Sequence, residues 1–340
     1  MRFISSLGVL SLLFVGSLAS SESGNGLNIP EKFSSVDFTH FWPVDEVNAY
    51  IEEIAEANPD QVRVITTRWT RELRPIYAVR ISSDMFANRP VVFIEAGQRP
   101  RDWSAHMVAI RVMHEFFSHY YDYLDVLEEI DIMIMPVSNP DGYEFSRTQD
   151  RGWTKNRQLN VGSDCVGVSV YHNFVPGFYV TPDPCEGHFS GPSALSEQES
   201  RAVNHILEQF NVIAYFSLQA GGARANSGSN ILYPFGYRYT VPENEHDLFV
   251  FGDALSSAFR DGGGRRYSVG PAHNLWYDPH GNSLDHASEE RNIAFPFTIE
   301  MPLFGEFGYD IVETEIEPLV ESTLPGFIFI VNFFAGRAGP

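Results

Sequence analysis

Few groups in this chain are spaced for chemistry. The densest set is the loop Gly97-Gln98-Arg99-Pro100-Arg101-Asp102-Trp103, two cations and a carboxylate within four residues, directly after the apolar run Val91-Val92-Phe93-Ile94. An arginine stays protonated in a protein, so Arg99 and Arg101 can grip carboxylates or carbonyls but cannot offer a lone pair to a metal. His114-Glu115-Phe116-Phe117-Ser118-His119 approaches the His-Glu-x-x-His spacing of zinc helices. Its histidines are five apart, however, which puts about 140° between them on a helix, so they cannot share one ion. His106, His205, His246, His273, His280 and His286 show no paired spacing. Gly262-Gly263-Gly264 lacks the strand and helix that flank a phosphate cradle, and reads as a loop.

The elements that must position these groups alternate. Val62–Thr66, Ile76–Ile81, Val91–Glu95, Ile130–Val137, Val212–Leu218 and Ala294–Glu300 read as strands, several of them unbroken apolar runs suited to burial on both faces. Helices are predicted from Val47, Tyr50, Ile51 and Ile54, over Ala105 to Phe117, from a capping box at Ser196–Glu199 to Gln209, and between Glu317 and Phe334. Asn139-Pro140-Asp141-Gly142 reads as a turn and 143–193 as loop-rich. The alternation predicts one α/β domain over 36–338 with a mixed, mostly parallel sheet, after a mobile lead-in at 21–35.

The chain has 340 residues and a formal net charge of −21, which argues against nucleic acid or an anionic membrane as partner. Arg2, the apolar stretch Leu7 to Val15 and Ser17-Leu18-Ala19 together read as a signal peptide over 1–20, so the protein is expected to be secreted. No later apolar run is long enough to suggest a membrane anchor. In an oxidising compartment the only two cysteines, Cys165 and Cys185, pair by default. Asn-x-Ser/Thr acceptors are absent. A monomer is expected.

Several ordered blocks resemble the M14 zinc carboxypeptidases, the carboxypeptidase A family. Besides the Gly97–Trp103 loop they are Asn139-Pro140-Asp141-Gly142-Tyr143, Arg151-Gly152-Trp153-Thr154-Lys155-Asn156-Arg157, the two cysteine segments, Tyr233-Pro234-Phe235-Gly236-Tyr237 and Phe297-Thr298-Ile299-Glu300. The resemblance spans Phe38 to Phe334 and implies an α/β/α sandwich around a mixed eight-stranded sheet. The family's loop reads Gly-x-His-x-Arg-Glu-Trp, with zinc held by that His, that Glu and a second His; the zinc activates water and polarises the scissile carbonyl. Here those ligand positions hold Arg99, Asp102 and Gln219, so no metal is expected, with zinc the alternative.

Glu300 fills the general-base position and is expected to be silent without the ion. Arg101 matches a subsite arginine, Tyr277 the tyrosine that covers the terminal residue, and Leu284 the base of the specificity pocket, favouring an apolar side chain. Tyr171 and His172 replace the Asn-Arg carboxylate clamp, and Thr154 replaces the carbonyl-polarising arginine. A catalytically inactive pseudoenzyme that binds a peptide or protein is the reading this supports. The alternatives are an active, divergent metallocarboxypeptidase that removes apolar C-terminal residues and uses Asp102, Gln219 and His172 around a metal, and a protein kept for its fold alone, such as a storage component. Arg99 is expected to replace the ion electrostatically between Asp102 and Glu300.

Overall fold

The computed structural model describes residues 26–33, 36–221, 229–275 and 280–338. The predicted signal peptide and residues 21–25 and 34–35 of the lead-in lie outside them, as does Tyr277. The strands are β1 (Val62–Trp69), β2 (Pro75–Ile81), β3 (Val91–Ala96), β4 (Asp131–Met135), β5 (Val212–Ala220), β6 (Asn230–Tyr233), β7 (Ser268–Pro271) and β8 (Phe295–Met301). The helices are α1 (Val44–Ala57), α2 (Trp103–Ser118), α3 (Leu124–Glu129), α4 (Pro140–Thr148), α5 (Gln198–Gln209), α6 (Glu245–Asp261), α7 (Ala272–Leu275), α8 (Ser283–Glu289) and α9 (Glu313–Ala338).

All eight strands form one sheet in the order β1-β2-β4-β3-β5-β8-β6-β7. Strands β4, β3, β5 and β8 run parallel at its centre, while β1–β2, β2–β4 and β8–β6 are antiparallel, so the sheet is mixed. Side chains alternate across it with the two-residue strand period. Val92, Ile94 and Ala96 of β3 join Phe216 and Leu218 of β5 in the core under α1, α2, α6 and α9. Val91 and Phe93 join Tyr215, Met133 and Met135 in the core under α5 and α8. Because both faces are covered, the central strands read as continuous apolar runs. The single-domain α/β architecture is the one expected.

The expectation that no later segment reaches membrane length is corrected: helix α9 is apolar and long enough to cross a membrane by length and composition, yet it packs on α2, α3 and α6 and buries Phe327, Ile330, Val331 and Phe334. It is a core helix.

Two local expectations need correction. Residues 139–142 open α4 rather than forming a free turn. Asn139 caps the helix by accepting from the Gly142 N–H at 3.1 Å, and Pro140, with no N–H to satisfy, suits the first helical position. The capping box at Ser196–Glu199 is not made. The Ser196 hydroxyl donates to Glu197 Oε1 (2.7 Å), and Glu199 turns inward to accept from Asn156 Nδ2 (2.9 Å), which also reaches Glu197. These bonds tie the 151–157 segment to α5.

Burial pushes the Glu199 carboxyl up to about 8, against the hydrogen bond from Asn156. The folded protein therefore keeps a proton that the unfolded chain loses near pH 4.5, and stability should fall as pH rises from about 4.5 to 8. Glu199→Gln should match the wild type below that window and exceed it above, by on the order of 4 kcal/mol, in denaturant unfolding followed across pH.

Candidate functional site

The C-terminal ends of parallel strands meet where open α/β sheets usually place a crevice. Here β3, β5 and β8 deliver the Arg99 loop, Gln219 and Glu300 to one place. Gln219 pairs in register with Glu300 across β5 and β8, and Asn230 of β6 lies opposite Glu300 on its other side.

Arg99 knits this end of the sheet together. Its Nε donates to Asp102 Oδ2 at 3.1 Å, and its Nη2 donates to Gln219 Oε1 at 2.7 Å and to the Ala220 carbonyl at 3.3 Å. The Ala220 N–H donates to the same Asp102 oxygen at 3.0 Å. Asp102 stands at the N-cap of α2 but makes no side-chain cap; its carboxylate faces the end of β5. The guanidinium carbon lies 5.0 Å from the centre of the Tyr171 ring. Burial works against the Arg99 charge, but Asp102, Tyr171 and Glu300 more than offset it and hold its pKa above the ordinary arginine value. Glu300 is buried and accepts from Asn230 Nδ2 at 2.5 Å.

These three positions do not fit zinc. A guanidinium occupies the place of one ligand and uses the oxygens of the other two as its acceptors. Among the described residues no group of three or more His, Cys, Asp or Glu is placed to hold a metal ion. His114 and His119 diverge as their spacing demands: His114 pairs with the Tyr50 hydroxyl (2.7 Å), and His119 lies 3.4 Å from Glu115.

Beneath the loop lies a polar floor that motif reading did not single out. Gln98 Nε2 donates to Glu95 Oε2 and Ser283 Oγ, both at 2.8 Å, while Tyr215, Ser217 and Ser138 also donate to Glu95. Burial raises the Glu95 carboxyl pKa, opposed by these hydrogen bonds. Glu95 within an apolar strand, with the Gln98 amide three residues on, is the available signal, since a buried Glu in a parallel strand demands partners. Gly97 lets the chain turn from this floor to Arg99. Its φ is +92°, and a Cβ there would sit 1.9 Å from the buried His106 ring.

The remaining positions are spread around this centre. Arg101 stacks on Tyr309 (4.4 Å), and its carbonyl accepts from Arg151 Nη1 (2.7 Å). Arg151 in turn covers the Trp103 ring at 3.8 Å. Thr154 turns its hydroxyl to the Gly187 carbonyl (2.6 Å), just past Cys185 of the Cys165–Cys185 disulfide, whose Cα atoms lie 5.1 Å apart. His172 Nδ1 lies 2.9 Å from Ser169 Oγ, and its ring is 6.4 Å from that of His188. Leu284 has no exposed surface and shares an apolar cluster with Tyr171. Asp285, next to it, accepts from the Gly236 and Tyr237 N–H groups (both 2.9 Å), which explains why the Tyr233–Tyr237 block accompanies this site.

The zinc carboxypeptidase family profile matches residues 47–326. The chain belongs to the M14 zinc carboxypeptidase family. It is 30% identical over 308 residues to carboxypeptidase B of Astacus astacus, covering 88% of this chain and 98% of that one. Carboxypeptidase B of Rattus norvegicus is 28% identical, with 88% of this chain matched to 72% of the relative. Among solved structures, carboxypeptidase A of Helicoverpa armigera superposes with a TM-score of 0.80 at 27% identity, over 90% of this chain and 75% of that one.

Two substitutions probe the centre. Arg99→Met strands the Asp102 carboxylate, 2% exposed, and should cost about 3–5 kcal/mol in denaturant unfolding; adding Asp102→Asn should recover most of it. Gly97→Ala forces a side chain into a left-handed backbone and against His106, and should cost more than about 2 kcal/mol by the same measurement.

Proposed function

We propose that this M14 family member is a secreted, non-catalytic protein whose remodelled cleft binds a peptide or protein. The observation that carries this reading is the Arg99 guanidinium, held by Asp102 and Gln219 where the family places ligand atoms around zinc. Without the ion no Lewis acid polarises a carbonyl or activates water there. Glu300, bonded to Asn230 and facing the Arg99 charge, then acts as a structural counter-charge rather than a base.

Three further features support it. Thr154 points to the Gly187 carbonyl, so no cation stands at that position over a scissile carbonyl. Tyr171 and His172 lack the planar fork that grips a carboxylate in two places. The charge of −21 disfavours nucleic acid and anionic membranes and leaves a peptide or protein as the partner class. Secretion rests on the apolar N-terminal stretch and the Cys165–Cys185 disulfide.

Metal analysis of the purified mature chain tests this. The wild type should carry no stoichiometric zinc and release no residue from a peptide with an apolar C-terminus, whereas Arg99→His, Asp102→Glu, Gln219→His should gain stoichiometric zinc. Wild-type zinc together with chelator-sensitive release of the terminal residue would overturn the reading.

A further inference from the structure

Leu284, in the first turn of α8, stands at the position that the family resemblance makes the base of a specificity pocket. It clusters with Leu232 of β6 and Ala272 of α7, and Leu275 packs against them. The fourth member of that cluster is the Tyr171 ring, 5% exposed. The centre of the same ring lies 5.0 Å from the Arg99 guanidinium carbon, and the Tyr171 phenol contributes to stabilising the Arg99 charge. One aromatic side chain thus bridges the Leu284 cluster and the Arg99 guanidinium.

We propose that Tyr171 is a built-in plug, its phenol ring standing where the apolar or aromatic side chain of a peptide's last residue would sit, over a latent site for phenolic ligands. This rests on, and sharpens, the binding reading above: peptides that must bury a terminal apolar side chain are refused, and a partner meets the cleft at its rim. The physical basis is familiar. An aromatic ring gains from apolar neighbours and from a cation over its face. Its position is fixed by the 3-10 turn Val170–His172, whose Asn173 N–H returns to the Val170 carbonyl (3.2 Å). The turn is pinned further because Asn173 Nδ2 donates to the Ser190 and Ser193 carbonyls (2.8 and 3.0 Å). The plug therefore sits on a braced backbone.

Removing the ring should leave an apolar cavity that a molecule of the same shape refills, as engineered apolar cavities do. Tyr171→Gly and Tyr171→Val, checked for folding by circular dichroism, would be titrated with 4-methylphenol by calorimetry and thermal unfolding. Both should bind it saturably and regain much of their lost midpoint, while the wild type and Tyr171→Phe show no saturable binding. Equal binding by the wild type, or none by a folded variant, would overturn the plug. Should neither variant fold, nitration of the wild type by tetranitromethane, mapped by mass spectrometry, decides. Tyr171 should resist while Tyr239, 89% exposed, reacts; modification of both at one rate would overturn it. The two readings fail separately: 4-methylphenol binding by the wild type sinks the plug and leaves the non-catalytic reading standing, whereas wild-type zinc with chelator-sensitive release of a terminal glycine, which has no side chain to bury, sinks the non-catalytic reading alone.

Discussion

A buried guanidinium between a carboxylate, an amide oxygen and a backbone carbonyl is the constraint on which this cleft depends. Arg99 has to be charged, because an arginine does not lose its proton, and a charge only 18% exposed needs compensation. Asp102 and Gln219 supply acceptors, Tyr171 supplies a ring face, and Glu300 supplies a second negative charge nearby. Each of these residues answers to the same cation. The Arg99 loop and the end of β5 are therefore coupled through one set of contacts.

The changes farther from the centre follow the same direction. Where the family pattern has an arginine reaching over the reacting carbonyl, Thr154 bonds to the Gly187 carbonyl. Where it has a carboxylate clamp, Tyr171 fills apolar space and His172 meets Ser169. Meanwhile the supports outside the cleft are in place. Asp285 braces the Gly236 and Tyr237 N–H groups, and Asn156 ties its segment to Glu197 and Glu199. The scaffold is kept and the contents of the site are exchanged, as expected when stability and chemistry depend on different residues.

Much of this was legible in the sequence because both signals involved are local. Apolar runs such as Val91–Ile94 and Val212–Leu218 mark strands covered on two faces, and ordered motif blocks name the family by their residues alone. That Arg99 cannot ligate a metal follows from its chemistry without coordinates. What escaped is relational. The Glu95–Gln98–Tyr215–Ser283 floor joins residues up to 188 positions apart, and no short window shows that they touch. Helix α6 went unassigned although Leu248, Phe251, Leu255 and Phe259 follow a helical period. The turn at 139–142 became a helix start because an Asn-Pro pair serves either role, and the packing of Tyr143 and Ser146 decides between them.

The exchange of ion for side chain also alters how the protein matures. A metalloprotein must meet its cation after synthesis, and can lose it again to a stronger chelator or to acid. The cross-link made by Arg99 is carried in the polypeptide itself and forms as the strands align. On the proposed reading the finished cleft needs no loading step, and no sequestering agent can strip it open.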